Sequence, residues 1–275
     1  MAFALAVAGK GGIGKTSLAA LLIQSLIERA AGPVLAVDAD PNPNLANALG
    51  CRVEKTISEL RNDLLDHIRK LPPGVTKDDY LELGIQECLA EGRGFDLLAM
   101  GAGEGPRCYC AVNSVLRRCI DRLSVAYPYV VMDNEAGLEH LSRCTTQDID
   151  VLLIVSTGHP VPLEAASRIH ELTERLALRI GRQYLVLNDV ADDDEETRRQ
   201  AQARFANLEL LGTVPTDLGV RECSRKGEPL TALGRDSAAR SAVRSMLDKA
   251  LPRAPVAPGH TNTLALGAHA HGGGR

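Results

Sequence analysis

The chain has 275 residues and a net charge of −4, with charges of both signs interspersed, so it shows no basic footprint for nucleic acid or a membrane surface. Its 45% apolar content can fill a globular core. No apolar run approaches the ~20 residues that cross a bilayer, and residues 1–8 lack a basic leader. We therefore expect a cytoplasmic protein. Seven scattered cysteines are an odd number, which argues against a disulfide framework and favours metal or catalytic roles.

Short apolar runs alternate with longer segments of helical period along most of the chain. The predicted strands are Phe3–Ala8, Val34–Val37, Phe95–Met100, Tyr129–Met132, Val151–Ser156, Gln183–Leu187 and Leu208–Val214. The predicted helices are Ser17–Arg29, Val112–Ala126, Leu163–Leu176, Glu195–Ala206 and Asp236–Leu251. Most strands are apolar throughout, as strands covered on both faces are. The alternation predicts a single α/β domain over residues 1–251, built on a doubly wound, mostly parallel sheet.

Two regions interrupt this alternation. Residues 56–94 are polar, with a helical period and a break at Pro72-Pro73-Gly74, and we interpret them as a helical insertion packed over one end of the sheet. Residues 252–275 are rich in Pro, Gly, Ala and His without a period, which predicts a disordered tail. The three histidines of this tail are too sparse for a metal-storage module, and we interpret them as part of its composition.

The sequence Gly9-Lys10-Gly11-Gly12-Ile13-Gly14-Lys15-Thr16 matches the phosphate-binding pattern G-x-x-x-x-G-K-[ST] in full. Its glycines let the backbone fold into a nest of N–H groups around phosphate oxygens, and the helix that follows at Ser17 starts with its positive dipole end there. Lys15 is expected to neutralise the β- and γ-phosphates, and the Thr16 hydroxyl to bind magnesium. An apolar strand precedes the loop and a helical segment follows it. We therefore expect Gly9–Ser17 to bind ATP with Mg²⁺ and to support ATP hydrolysis.

A second lysine, Lys10, directly follows the first glycine of the loop. Taken by itself, Lys10 is also compatible with a solvated loop side chain. With the rest of the loop, it resembles the deviant Walker A class of ATPases, which includes the nitrogenase iron protein and the partitioning ATPases. The resemblance implies that Lys10 acts catalytically on the nucleotide of a partner subunit, within a homodimer that encloses ATP.

Carboxylates follow the second predicted strand, in Asp38-Ala39-Asp40-Pro41-Asn42. A carboxylate at the carboxyl end of a parallel strand faces the ligand crevice. In the resembled class this segment is switch I, which implies that Asp38 holds a magnesium-bound water and Asp40 orients or deprotonates the attacking water. A turn or capping role explains one of the two aspartates, and explains the pair poorly.

Asp133 ends the apolar strand Tyr129–Met132, which is the Walker B arrangement for a magnesium ligand. The segment Asp133-Asn134-Glu135-Ala136-Gly137 resembles switch II, in which the Gly137 N–H would sense the γ-phosphate. Glu135 is a conceivable general base, but its neighbours leave its role open.

Two further segments follow the last predicted strands. Asn188 stands where the resembled class reads the adenine edge with an Asn side chain, although a buried turn Asn is a common alternative. The segment Val214-Pro215-Thr216-Asp217 resembles the loop of that class that packs on the base, so Asn188 and Pro215 are the expected adenine contacts.

Cys108-Tyr109-Cys110 follows a Gly-rich segment and precedes the helix predicted from near Val112. Thiolates near a helix N-terminus are favoured by the helix dipole. One C-x-C cannot complete a tetrahedral site, but two copies across a two-fold axis supply four sulfurs, which suits zinc, or nickel in a flatter geometry. The alternative is a pair of small apolar residues without metal.

Three features together resemble the CooC-type nickel-insertion ATPases, which mature carbon monoxide dehydrogenase. They are the C-x-C pair, the Asn-containing helix after it, and the run Met132-Asp133-Asn134-Glu135-Ala136-Gly137-Leu138-Glu139-His140. The likeness extends to about Lys249. It implies a dimeric, cytoplasmic ATPase whose nucleotide state governs nickel delivery to carbon monoxide dehydrogenase as its client.

Two other functions fit parts of the sequence. An ATP-dependent reductase of the iron-protein kind also shares a cluster between subunits. One of its cysteines is expected shortly after switch II, where this chain has His140, with Cys144 one helical turn later, whereas Cys108 and Cys110 lie close to each other. A spatial organiser of the MinD or ParA kind fits the loop and leaves Cys108 and Cys110 without a role. Such a protein also needs a basic surface or a terminal amphipathic helix.

Overall fold

The apolar runs of the sequence form the strands of one sheet. The computed structural model describes residues 2–67, 74, 77–102, 108–135, 149–175, 179–191, 193–205 and 207–251. The strands are β1 Phe3–Gly9, β2 Val34–Ala39, β3 Leu89–Gly92, β4 Phe95–Ala99, β5 Tyr129–Asn134, β6 Ile149–Ser156, β7 Ile180–Asn188 and β8 Glu209–Val214. Within these ranges the sheet has eight strands in the order β3-β4-β2-β5-β1-β6-β7-β8. The strand pairs are parallel, except that β3 is antiparallel to β4.

Helices connect these strands and cover the sheet. They are α1 Lys15–Glu28, α2 Leu45–Leu49, α3 Ile57–His67, α4 Lys77–Glu87, α5 Cys108–Leu123, α6 Pro160–Arg175, α7 Glu195–Arg204, α8 Leu218–Lys226 and α9 Ala238–Ala250. Short 3₁₀ turns lie at Ser124–Ala126 and Leu230–Ala232. Across the described ranges, none of the helices is both long enough and apolar enough to span a membrane.

The two faces of the sheet carry separate hydrophobic cores. Successive side chains of a strand point to opposite faces, so in β1 Ala4, Ala6 and Ala8 join one core, whereas Leu5 and Val7 join the other. Helices α3 to α7 pack on the first face, and helices α1, α2, α8 and α9 on the second. This arrangement confirms the predicted doubly wound α/β sheet.

Helix α1 is buried along most of its length because it lies between the sheet and α9. The residues from Leu18 to Leu26 are all buried, which explains why this segment is apolar around its whole circumference rather than on one stripe. At its C-terminal end, Glu28 accepts hydrogen bonds from Arg240 and Arg244 of α9. The helix that begins at the phosphate-binding loop is therefore fixed at both ends.

The predicted strands are confirmed with shifts of a few residues at their ends, and one strand was not predicted. Strand β3 is short, contains Glu91 and lies at the sheet edge, so it lacks the continuous apolar run of the central strands. It falls within residues 56–94, which also contain α3 and α4. The predicted break at Pro72-Pro73 and the tail 252–275 lie outside the described residues.

The packing of α3 yields a test of the first core. Leu60 of α3 is fully buried in that core, whereas Leu65 of the same helix is 49% exposed. We expect Leu60→Ala to lower the free energy of unfolding by about 2–5 kcal/mol, because the truncation leaves a cavity. The matched Leu65→Ala variant should change it by less than about 0.5 kcal/mol. Urea unfolding followed by circular dichroism measures both, and equal effects would mean that α3 does not pack on the sheet.

Candidate nucleotide-binding site

Three adjacent strands end at the same edge of the sheet and bring the predicted site residues together. Strand β5 lies between β1 and β2, and all three are parallel. In this register Asp133 pairs with Val7 on one side and with Asp38 on the other. The phosphate-binding loop, which leaves β1 after Gly9, is therefore next to both carboxylates. The strand order places residues that are about a hundred positions apart in one crevice.

The phosphate-binding loop turns through left-handed glycines before α1 begins. Gly12 and Gly14 have φ of 79° and 86°, values that residues with a side chain rarely adopt. The Lys15 side chain folds back over the loop and donates a hydrogen bond from Nζ to the Lys10 carbonyl, at 3.3 Å. Lys15 is buried, whereas Lys10 is exposed. The loop thus holds one lysine inside the site and presents the other outward.

Strand β7 contacts the loop through Asn188. Its Nδ2 donates a hydrogen bond to the Ile13 carbonyl at 2.7 Å. A Cβ atom added at Gly14 would lie 2.4 Å from the same nitrogen, so a side chain at this position would displace Asn188 as well as strain the backbone. Asn188 therefore has a structural task in fixing the loop, and its predicted contact with adenine stays a prediction.

The two carboxylates that face the loop are buried. Asp38 is fully buried and accepts hydrogen bonds from the Leu45 N–H at 2.8 Å and the Asp40 N–H at 3.2 Å. Asp133 is 2% exposed, and its Oδ1 has no hydrogen-bond partner among the described residues. Asp40 is half-buried and accepts a hydrogen bond from the Asn42 N–H. The backbone after β2 thus wraps around Asp38, while Asp133 keeps a free oxygen.

This burial changes the protonation of both groups. Burial raises the pKa of Asp38 to about 7, against the hydrogen bond from Leu45, and the nearby charge of Asp133 adds to the rise. Burial raises the pKa of Asp133 to about 6, although the Thr16 hydroxyl and the Lys15 ammonium lower it. Two buried carboxylates side by side are stable in ionised form only with a compensating cation. Asp133, Asp38 and the Thr16 hydroxyl therefore fit Mg²⁺, which binds one or two carboxylates together with substrate phosphates.

A cavity of about 290 Å³ adjoins the loop, where a nucleoside would follow the phosphates. Gly12, Gly14 and Ser17 line it on the side of the loop, and Asn188 and Pro215 line it on the side of β7 and β8. The structure thus brings both predicted adenine residues to the same cavity. Direct contact with the base remains a prediction for each.

Sequence reasoning missed Asp189 and Arg221 of this cavity, and it named Asp217 only as the end of the segment Val214-Pro215-Thr216-Asp217. Asp189 has φ of 60° and accepts two hydrogen bonds from Arg221 Nη2, at 2.8 Å each, and one from the Thr216 hydroxyl. Asp217 caps α8 and also accepts a hydrogen bond from the Ser237 hydroxyl, which ties α8 to the start of α9. The position of Asp189, directly after Asn188, is the one signal that the sequence offered.

The backbone at Cys108 and Cys110 corrects one expectation. Helix α5 begins at Cys108 and not near Val112, so the two cysteines belong to the first turn of the helix instead of preceding it. The helix starts earlier because no residue from 108 to 112 is Gly or Pro. The side chains of this turn lie outside the described part of the chain, as do Gly137, His140 and Cys144. Among the side chains that are described, no cluster of three or more His, Cys, Asp or Glu could hold a metal ion.

Three features define a P-loop nucleotide-binding protein. They are a glycine-rich loop between a strand and a helix, a buried lysine within this loop, and two carboxylates at the ends of neighbouring strands. The family model of the CobQ/CobB/MinD/ParA nucleotide binding domain matches residues 4–230. The chain belongs to this family, and it is a nucleotide-binding ATPase.

Relatives with known sequences match nearly the whole chain. An uncharacterized ATP-binding protein of Methanocaldococcus jannaschii is 40% identical over 247 residues, which cover 89% of this chain and 97% of that protein. The carbon monoxide dehydrogenase accessory protein CooC of Rhodospirillum rubrum is 28% identical over 240 residues, which cover 81% and 87%. Among solved structures, the septum site-determining protein MinD of Pyrococcus horikoshii, complexed with Mg-ADP, has a similar fold with a TM-score of 0.66, 20% identity and coverage of 90% and 96%.

The raised pKa values predict how stability depends on pH. Folding disfavours the ionised form of Asp38, because burial raises its pKa. The contribution of Asp38 to the free energy of unfolding is therefore most favourable below pH 4, and it is lost as the pH rises towards 7. Without nucleotide and Mg²⁺, we expect the free energy of unfolding to fall between pH 5 and pH 8 by on the order of 2–4 kcal/mol. Asp38→Asn should reduce this fall, whereas the exposed Asp66→Asn should leave it as in the parent. Urea unfolding at several pH values tests this, and a fall that Asp38→Asn leaves intact would contradict it.

Proposed function

We propose that this chain is an ATP-dependent, cytoplasmic metallochaperone of the CooC type, which binds nickel or zinc between two subunits and delivers nickel to carbon monoxide dehydrogenase. The observation that carries the proposal is the pair Cys108 and Cys110 in the first turn of α5. The likeness to CooC over most of both chains supports it.

The end of strand β4 supports a link between the nucleotide site and the cysteines in this proposal. Asp38 of β2 pairs with Ala99 at the end of β4, so β4 ends at the same sheet edge as the carboxylates. The chain continues from this edge into α5, whose first turn holds both cysteines. The segment with Asp38 and Asp40 follows β2, and β4, which precedes the helix with the cysteines, is the neighbouring strand. A change of conformation at Asp38 and Asp40 would therefore occur next to the end of β4.

Each residue of the nucleotide site has a separate role in ATP hydrolysis. The N–H groups of the loop and Lys15 bind and neutralise the phosphates, and Thr16, Asp38 and Asp133 would hold Mg²⁺, directly or through its water. The metal ion, when bound, neutralises charge on the phosphate oxygens. Asp40 is half-buried beside Asp38 and orients the attacking water.

Lys10 extends the site to a second subunit in this proposal. Its side chain is exposed, whereas Lys15 is buried within its own loop. In a homodimer, Lys10 of each subunit contacts the ATP of the other, and the closed dimer brings the two cysteine pairs into one site with four thiolates. To switch most molecules from open to closed, ATP must favour the closed form by about 5 kcal/mol.

The metal half of the proposal predicts stoichiometry. The parent should bind one Ni²⁺ or Zn²⁺ per dimer, because four thiolates from two chains complete one site. Cys108→Ala/Cys110→Ala should lose this metal, while Cys51→Ala, which removes a thiol elsewhere, should keep it. Metal analysis combined with oligomeric mass, with and without ATP, measures both quantities. Metal binding that survives the double substitution, or a visible iron–sulfur absorption band in anaerobically purified protein, would contradict the proposal.

The dimer half predicts complementation between two inactive variants. Lys10→Ala and Asp40→Ala should each lose most of the ATPase activity. A mixed dimer would retain one intact site, which combines Asp40 of the first variant with Lys10 of the second. At equal amounts, random assortment gives about one quarter of the parental rate. A steady-state phosphate assay after mixing measures it.

The matched control for Lys10 is Lys226→Ala, which removes an exposed lysine of α8 and should leave the rate unchanged. If Lys10 acted within its own subunit, every mixed dimer would lack one essential group in each site. Mixing would then restore nothing, and the shared-site model would be wrong.

A further inference from the structure

A second cavity lies apart from the nucleotide site, on the α1 face of the sheet. It is open to solvent on one side and is lined by the C-terminal half of α1, the end of α2, the β3–β4 hairpin and the segment around the 3₁₀ turn Leu230–Ala232. Its volume is about 1000 Å³, against about 290 Å³ for the cavity beside the loop, and their described lining residues do not overlap. A cavity of this size accommodates a small organic molecule.

A buried amide in the wall of this cavity lacks a partner. Gln24 of α1 is 8% exposed, and both polar atoms of its side chain are buried without a hydrogen bond among the described residues. Buried polar groups in native proteins are almost always hydrogen-bonded, and an exception needs an explanation such as a missing ligand. Because both atoms lie behind the accessible wall, a bound molecule would reach them once the Gln24 side chain turns into the cavity, where its amide offers two N–H donors and one acceptor.

The cavity also presents cationic groups from two different elements. Arg93 at the tip of the β3–β4 hairpin and Arg235 after the 3₁₀ turn both line it, and both are exposed with no ion pair or hydrogen bond to described residues. Arg240 lines it too, but it pairs with Glu28. Glu91 adds one acidic side chain at the same rim. The free charges therefore leave a positive excess, which favours an anionic ligand.

Apolar side chains form another part of the lining. Ile27, Leu49, Phe95 and Leu233 contribute side chains, of which the last three are buried. A ligand that fills this space exchanges water for hydrocarbon contact, which favours a ring or a short aliphatic body. The cavity therefore combines an apolar surface, two guanidinium groups and an unsatisfied amide.

We propose that this cavity is a second binding site, for a small organic anion that carries an apolar body. The anionic group, a carboxylate or a phosphate monoester, would bind Arg93 and Arg235, since guanidinium groups bind such oxygens in pairs. The apolar body would pack on Phe95 and Leu233, and a polar substituent would satisfy Gln24. The site is independent of the metal that Cys108 and Cys110 are proposed to bind.

The probe for the test is anilinonaphthalene sulfonate, which joins an anionic group to an apolar ring system. Saturating Mg-ADP occupies the nucleotide site during the titration. We expect one equivalent of probe to bind, and Arg93→Gln/Arg235→Gln to weaken binding by at least about tenfold, because charge-assisted hydrogen bonds are lost. The matched control, Arg204→Gln, removes an exposed arginine of α7 outside the cavity and should bind the probe as the parent does. All variants are compared by circular dichroism.

Cys51 supplies a local readout, because it lines the cavity and is half-exposed, whereas Cys223 is buried elsewhere. The probe should slow alkylation of Cys51 severalfold and leave that of Cys223 unchanged, as measured by peptide mass spectrometry. Absence of binding in the presence of Mg-ADP, undiminished binding in the double arginine variant or unprotected Cys51 would each overturn the proposal. These results do not depend on ATPase activity or on nickel, so they distinguish this site from the proposed function.

Discussion

Two carboxylates, Asp38 and Asp133, are held side by side in the interior of the protein, and the nucleotide edge is organised around them. Their proximity follows from the pairing of β2 with β5 in register. Neither can be fully ionised at low cost without a cation, because both are almost completely buried. Asp38 also accepts hydrogen bonds from the backbone N–H groups of Leu45 and Asp40. The conformation of the backbone after β2 therefore depends on the group that neutralises Asp38 and Asp133. In the proposed function, this electrostatic requirement would link Mg²⁺ binding to the position of the loop and of the segment after β2.

Much of this could be predicted from the sequence because the central strands are buried on both faces. Continuous apolar runs such as Val151–Ser156 have few alternatives to a covered parallel strand. The loop Gly9–Thr16 was equally informative, since its glycines and lysine are required by backbone geometry and by phosphate charge. Once the strand order was fixed, carboxylates at strand ends could be assigned to one crevice. The family comparison then supports the nucleotide class, while the metal and the client enzyme rest on the proposed function.

The rest depended on contacts that a linear pattern does not encode. Strand β3 lies at the edge of the sheet, where burial varies from residue to residue. It forms a hairpin with β4, and the two-residue turn between them sets their pairing. The ion pair of Asp189 with Arg221 joins residues on separate elements, and nothing local marks either of them. Helix α5 begins four residues before its predicted start, because Cys and Tyr are compatible with a helix and the Gly-rich segment before them does not mark which residue comes first. The unsatisfied amide of Gln24 is visible only when the packing of α1 is known.

The short edge strand β3 has a consequence for how copies of this chain can associate. An exposed strand edge invites another sheet to continue it, and proteins discourage this with short strands and charged side chains. β3 has four residues and carries the exposed Glu91, so joining two sheets into a continuous one is unfavourable at this edge. In the proposed dimer, the two copies would instead meet at the ends of the strands, where Lys10 is exposed. A short, charged edge at β3 is therefore compatible with the proposed dimer, which would have to come apart after each turnover.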